Sequence, residues 1–394
     1  MFGLPKNLGL KKDIWVLLSS ILIVHIAAYL IVPIFPILLK NIKNLTPSEV
    51  GLVIGAGSLF IQLGSIIAGI IADRIGNKLT IVIGNGMQFI ALFGLGLSTS
   101  TTALVLFSSL NGVGTGIYVP TTKAAISYLA REDNTTTAFS LRAVFANVGT
   151  SIAGIFVLFF ASNVNFYGGA VIYGFLMILS WILLPEGCGG QPCPTLPFRE
   201  YINIFKHRTF IIFSLISALI WGIHTQLGLL LPLRGEAILN NPNRIGIIWT
   251  ITSVIVIFVQ PIISRGFLEK RSPILALIMG TLLLGVGIAL IGWATTFSFL
   301  LICSTIFIVG QMFMMPTLDN ITKLIADPNL LGAYFAVANF ASGIGGALGA
   351  FASGRLVDTY GIVDSPIPWL IYGLLSGIVA FLLSLPSMRT INKK

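Results

Sequence analysis

Twelve predominantly apolar stretches, each about 20 residues or longer, fill almost the whole of this 394-residue chain. They run at about 14–40, 50–72, 79–98, 102–129, 137–161, 167–185, 209–233, 245–268, 274–294, 298–325, 332–354 and 367–386. Each can cross a hydrocarbon core roughly 30 Å thick as a helix. With 56% apolar and only 9% charged residues, and a mean hydropathy of +0.97, the chain cannot be a soluble globular protein, where about 25% charge is usual. The sequence therefore predicts an all-α membrane protein of twelve transmembrane helices. The stretch beginning near Ile14 is too long for a signal segment and has no small-residue cleavage site after it, so it is expected to be retained.

The chain also repeats itself. A shift of 196 positions lays Pro36 on Pro232, Asp73 on Glu269, Arg74 on Lys270, Pro120 on Pro316, Phe139 on Phe335 and Gly149 on Gly345 without a gap. Parallel repeats of this kind imply two pseudo-symmetric six-helix halves with a site between them that can open to either side. The predicted division is 1–185 for the N-terminal half, 186–208 for a Gly- and Pro-rich connector, and 209–394 for the C-terminal half.

The formal charge of +10 is a topology signal rather than a sign of nucleic-acid binding. With the N-terminus inside, the cytoplasmic segments hold Lys6, Lys11, Lys12, Arg74, Lys78, Arg131, Arg199, Lys206, Arg208, Arg265, Lys270, Arg271, Arg389, Lys393 and Lys394. The other side holds only Lys40, Lys43, Arg234, Arg244 and Arg355. This positive-inside bias places both termini in the cytoplasm and the chain in the cytoplasmic (inner) membrane.

Between the second and third stretches lies Gly69-Ile70-Ile71-Ala72-Asp73-Arg74-Ile75-Gly76-Asn77-Lys78. It closely resembles the signature cytoplasmic loop of the major facilitator superfamily: Gly, three residues, Asp-Arg, one residue, Gly, then basic positions. A worn copy, Arg265-Gly266-Phe267-Leu268-Glu269-Lys270-Arg271, occupies the second half. The resemblance implies a gating motif of Gly69, Asp73, Arg74, Gly76 and Lys78, a conformational latch in which Gly69 allows close helix approach, Asp73 meets a helix end, and Arg74 and Lys78 clamp acidic partners. A further stretch, Ala138-Phe139-Ser140-Leu141-Arg142-Ala143-Val144-Phe145-Ala146-Asn147-Val148-Gly149, is similar to the fifth helix of the drug:proton antiporter branch. That branch commonly continues with a Gly-Pro pair, whereas here Thr150-Ser151-Ile152-Ala153-Gly154 follows.

A charge in mid-membrane costs on the order of 2.5–3.5 kcal/mol, so each one calls for a reason. In the resembled family the first, fourth, seventh and tenth helices wall the cavity, and His25, Lys123, His224 and Asp319 fall on them. Arg142 lies on the fifth. Lys123 and Asp319 are related by the 196-residue shift and should face each other at similar depth. Apposed, both stay charged; separated, Asp319 can take a proton and Lys123 becomes free for an anionic group. Alternatively, Asp319 pairs with Lys323 one turn away, or Lys123 reaches toward the interface. Tyr29, Tyr118, Asn147, Gln311 and Met315 complete the candidate substrate and proton-coupling set, with Trp221 and Trp249 as further aromatic wall. Gln62, Asn85, Gln88, Asn111, Gln226 and Gln260 add polar groups, many of them expected to hold helices together.

The expected function is proton-coupled secondary transport of a small amphipathic, anion-bearing molecule by alternating access, as an exporter; the alternative is a proton-coupled importer of an organic anion or chelator. A non-transporting membrane sensor would need a signalling domain larger than the connector. No nucleophile–base constellation, metal-ligand cluster or nucleotide-binding lysine loop is found, so the sequence predicts no enzyme and no cofactor. The expected partners are the substrate, protons and membrane lipid, with the chain acting as a monomer.

Overall fold

The computed structural model describes residues 12–129, 135–160, 162–184, 204, 206–327 and 331–385. Cys188, Cys193 and most of the connector lie outside the described residues. Among the described residues, twelve helices are long and apolar enough to cross a membrane. In order, spans 1 to 6 are Lys12–Tyr29, Pro47–Gly69, Arg74–Leu97, Thr101–Ile126, Ala138–Phe159 and Val164–Leu183. Spans 7 to 12 are Arg208–Ile238, Pro242–Leu268, Pro273–Ile291, Phe297–Ile325, Tyr334–Tyr360 and Ile367–Ser384. In a bilayer no water satisfies backbone groups, so each crossing segment must bond to itself as a helix. Large apolar side chains such as Leu106, Val171, Phe258, Ile262, Leu374 and Phe381 stand on the outer surface, where lipid would meet them.

Local signals set where helices begin. Thr46 opens span 2 with a capping box: its hydroxyl accepts from the Glu49 backbone N–H, and the Glu49 carboxylate accepts from the Thr46 N–H at 2.9 Å. Ser272 and Thr296 cap spans 9 and 10 in the simpler way. Spans 2 and 3 run on as one helical segment, Pro47–Leu97, broken only at Gly76. There φ is 83°, a left-handed conformation that glycine adopts without steric penalty. This is the one conformational demand inside the signature loop. Gly69, expected to permit close helix approach, does not do so here: a Cβ on it would meet nothing within 4 Å.

Two expected helices are discontinuous. The stretch predicted as one helix over 14–40 ends at Tyr29 and restarts as a short helix, Phe35–Asn41. The stretch predicted over 209–233 breaks between Arg208–His224 and Gln226–Ile238. The breaks at Tyr29 and Thr225 coincide under the repeat shift. Prolines lie just beyond both, Pro33 and Pro36 in the first and Pro232 in the second. Proline lacks the N–H and its ring crowds the preceding turn, which loosens the helix N-terminal to it.

The apolar core gathers into two clusters, one drawn mainly from residues 14–184 and one from 204–383. They meet through small residues. A Cβ on Gly154 of span 5 would collide with the Gly246 carbonyl oxygen of span 8, and one on Gly246 with that of Gly154. The repeat-related crossing sets Gly51 and Gly55 of span 2 against Ala350 and Ala347 of span 11. Within each cluster the repeat holds at atomic detail. Gly149 packs span 5 on Leu22 of span 1, and its repeat mate Gly345 packs span 11 on Ala218, the repeat mate of Leu22. The glycine run 343–349 is thus helix packing: Gly349 meets Gly222 in the same seam.

At one end of the bundle, polar contacts join the two clusters. Lys40 donates to Glu236 at 2.7 Å, an ion pair between residues 196 positions apart, with Asn41 donating to the other carboxylate oxygen at 3.2 Å. Ser48 donates through its backbone N–H and hydroxyl to Asp358, and Asn243 donates to the Leu158 carbonyl at 3.3 Å. Buried Arg234 ties the same end, donating to the carbonyls of Ala294 and Ile362.

Gly154→Val should overpack the span 5–span 8 crossing and cost about 1–3 kcal/mol, seen as a lower unfolding temperature of the purified protein in detergent. Gly69→Ala, facing open space in a helix, should be neutral or stabilising by up to roughly 1 kcal/mol. The reverse ranking would place the close approach at Gly69 after all.

Candidate functional site

Three cavities line up along the interior. The first, of about 350 Å³, lies within the 14–184 cluster and is lined by His25, Tyr29, Tyr118, Thr122, Arg142 and Tyr173 among others. The second, of about 400 Å³, lies between the clusters and is lined by Tyr29, Phe35, Trp221, His224, Trp249, Gln311 and Met315 together with Gln62, Asn111 and Ser342. The third, of about 120 Å³, is lined by Ser217, Trp221, Met315, Asp319, Asn339 and Ser342. The first and second share Tyr29, Val32, Phe35, Ile61 and Asn111; the second and third share Trp221, Met315 and Ser342.

The helix breaks position much of this wall. Tyr29 and Thr225 stand at the two repeat-related interruptions and both line the second cavity. Rings continue from one cavity to the next: His25 stacks on Tyr29 (6.1 Å, 10°), and Tyr29 tilts against Trp249 (5.6 Å, 59°). On the other side Trp221 and His224 meet edge-on at 4.9 Å. His25 donates through Nδ1–H to the Ile21 carbonyl at 2.8 Å, and the Tyr118 hydroxyl is 3.0 Å from that of Ser20.

Charge divides between the cavities. Arg142 is the one charged residue lining the first, and no Asp or Glu lines it. The second has no Asp, Glu, Lys or Arg among its lining residues, and Asp319 is the charged residue of the third. Lys123 and Asp319 are both exposed and form no ion pair or hydrogen bond with each other among the described residues. They lie close enough to attract each other electrostatically, while Arg142, a like charge, opposes Lys123. The alternative Asp319–Lys323 pair is likewise not formed.

Several buried polar atoms on these walls lack a hydrogen-bond partner: Asn111 Oδ1, Arg142 Nε, His224 Nε2 and Trp249 Nε1. A buried donor or acceptor left open costs on the order of 1–3 kcal/mol, so the fold tolerates such groups most readily where a ligand or water can answer them.

Not every expected residue joins the site. Asn147 spends its amide on the Ala143 carbonyl one turn back, at 2.9 Å, and lines none of the three cavities. Gln226 is also structural: fully buried, it donates to the Gly222 carbonyl at 2.6 Å and accepts from Ser353, which meets the Tyr372 hydroxyl at 2.5 Å. In the signature loop Arg74 is exposed, the Lys78 ammonium lies 5.7 Å from the Trp181 ring centre, and the Asp73 side chain lies outside the described residues. Phe35, Thr122 and Thr225 were not singled out from the sequence. Phe35 and Thr225 owe their cavity role to the helix breaks, of which nearby Pro33, Pro36 and Pro232 are the sequence signal, whereas Thr122 lies on the continuous span 4.

Comparison with known proteins places this architecture. The family model of the Major Facilitator Superfamily matches residues 17–350. The chain is 25% identical over 397 residues to the uncharacterized MFS-type transporter YqjV of Bacillus subtilis, covering 95% of this chain and 93% of that protein. It is also 25% identical over 386 residues to the multidrug resistance protein MdtH of Citrobacter koseri, covering 96% and 93%. Among solved structures, a point mutant of the nucleoside transporter NupG superposes with a TM-score of 0.84 at 18% identity, covering 94% of this chain and 98% of that one. The peptide transporter POT in complex with sulfate superposes with a TM-score of 0.81 at 14% identity, covering 97% and 95%. These two likenesses concern the fold. The chain belongs to the major facilitator superfamily, and is a secondary transporter of small molecules rather than an enzyme.

Proposed function

We propose that the chain exports a small amphipathic molecule bearing an anionic group across the cytoplasmic membrane, in exchange for protons, by alternating access. Both termini lie in the cytoplasm on this reading, and the halves 1–185 and 209–394 rock about the crossings at Gly154–Gly246 and Gly51–Ala350. The observation that carries the anion preference is Arg142. It sits in a cavity without carboxylates, and its buried Nε has no partner. An anionic group there would gain a charge-assisted hydrogen bond and answer an open donor. Export draws support from the multidrug resistance relatives.

Protons are assigned to Asp319. Its cavity touches the second one through Trp221, Met315 and Ser342 but does not contain Arg142. In the present conformation the outer end is latched by Lys40–Glu236, while Lys123 and Asp319, the other pair at the same sequence separation, stand apart. Closing the cytoplasmic end would bring Lys123 toward Asp319, favouring the carboxylate and releasing its proton. His25 and His224 lie beside the cavities as secondary proton carriers, and the signature loop acts as a gate.

A second reading, a proton-coupled importer, is favoured by span 5 itself. It continues past Gly149 without a Gly-Pro pair, as an unbroken helix Thr135–Phe159.

Proteoliposomes carrying a lumenal pH dye test both. Substrate addition should move protons, outward-directed flux marking exchange and co-directed flux marking import. Asp319→Asn should abolish the proton movement while substrate still binds; coupling that survives this change would remove Asp319 from the mechanism. Arg142→Gln should weaken substrate binding roughly 10- to 100-fold, the worth of a hydrogen bond to a charged group.

The outer latch gives a separate expectation. Lys40 is 34% and Glu236 17% exposed, so the pair contributes no more than about 1 kcal/mol, and less in high salt. Lys40→Glu should slow transport a few-fold at low ionic strength, and adding Glu236→Lys should restore it. A double variant as slow as the single one would make the contact incidental.

A further inference from the structure

We infer that the substrate is a planar aromatic acid, its ring system lying in the slot between Tyr29–Trp249 and Trp221–His224 and its acidic group resting on Arg142. This narrows the anion-transport reading above and rests on it.

Shape comes first. The first and second cavities share five wall residues, Tyr29 and Asn111 among them, and so adjoin; the inferred ligand spans both. Each is of the size that holds a small organic ligand. The second is walled by rings on two sides, Tyr29 with Trp249 and Trp221 with His224. Aromatic faces and edges favour another aromatic ring over a saturated body of equal area, by up to about tenfold in affinity.

The open polar atoms then say what the rings must carry. Arg142 Nε and Trp249 Nε1 can only donate, and both are buried without a partner. They belong to opposite members of the cavity pair: Arg142 lines only the first, Trp249 only the second. An acidic group therefore answers Arg142, and the π face of an aromatic ring, a weak acceptor, is what the ligand can offer the Trp249 N–H. A lipophilic cation finds no carboxylate in either cavity, since Asp319 lies in the third.

The experiment is binding of four probes to the purified full-length transporter, by titration calorimetry in detergent: naphthoate, its ring-saturated analogue, naphthamide and naphthylmethylamine. Naphthoate should bind several-fold to tenfold tighter than the saturated acid, and at least tenfold tighter than the amide or the amine. Arg142→Gln should erase the preference for acid over amide and keep the preference for the aromatic ring. Trp249→Leu should do the opposite, so the preference that each variant keeps shows its own fold to be intact. Trp249→Phe should retain most of the ring preference. Equal affinity for the aromatic and saturated acids overturns the inference, as does an amide or amine that binds as tightly as the acid, or no binding of naphthoate up to about millimolar concentration. The two readings fail separately. Proton movement driven by anions without ring preference sinks only the substrate class; the predicted binding pattern without proton movement sinks only the coupling.

Discussion

The crossing of span 5 over span 8, where Gly154 and Gly246 bring backbone against backbone, is the contact on which the interior depends. Helices in lipid gain nothing from burying apolar surface against each other rather than against acyl chains, so they associate through close packing and polar contacts. Small residues at this crossing, and at the repeat-related one between spans 2 and 11, let the two clusters touch along narrow seams. Because the seams are narrow, a space remains between the clusters, walled by spans 1, 4, 7 and 10 together with spans 2, 8 and 11. A bulkier pair at the seams would widen the contact and fill or displace the cavity.

Within that space, the same physics that makes charge expensive makes it informative. Lys43 and Arg234 are also buried cations, yet both are answered: Lys43 donates to the Gly96 carbonyl at 2.6 Å, and Arg234 donates to two loop carbonyls. Burial nevertheless pushes the Lys43 amine below its ordinary range. These side chains fasten the end of the bundle that holds the Lys40–Glu236 pair. Arg142 differs because its buried Nε is left open beside a cavity. On the proposed reading, the distinction between a structural and a ligand-binding cation therefore lies in hydrogen-bond bookkeeping rather than in depth.

Much of the fold was legible because membrane constraints act on composition and length alone. Twelve apolar stretches read as twelve spans, and the 196-residue shift, which lays Gly149 on Gly345, reappears as two equivalent packing contacts. The signature loop was legible by its spacing, but the left-handed turn at Gly76 was not, since a glycine in a motif does not itself report its backbone angles. The role expected of Gly69 was not borne out, because spacing cannot say which face of a helix meets a neighbour in a given conformation. The breaks at Tyr29 and Thr225 were hidden for a related reason. Proline in a membrane helix can leave it straight, bent or interrupted, depending on whether neighbours satisfy the freed backbone groups. Asn147 misled because an intramembrane amide is polar whether it faces a cavity or its own helix.

What the repeat does not preserve is as instructive as what it does. His25 corresponds to Trp221, Tyr29 to Thr225, Arg142 to Ala338 and Lys123 to Asp319. Trp221, Ala338 and Asp319 line the third cavity, which is therefore the counterpart of the first, His25 and Arg142 being their mates there. Equal halves make equal end states reachable, since a motion that closes one end has a symmetric partner that closes the other. Equal cavities, however, would hold the same charge on both sides of the centre and offer no way to tell substrate from proton. Placing a guanidinium in one and a carboxylate in the other gives each ion its own seat, with the uncharged aromatic cavity between them. On the proposed reading, coupling then needs no direct exchange of proton for anion. It needs only that the wall of Trp221, Met315 and Ser342, common to the second and third cavities, be packed differently when the slot beside it is filled.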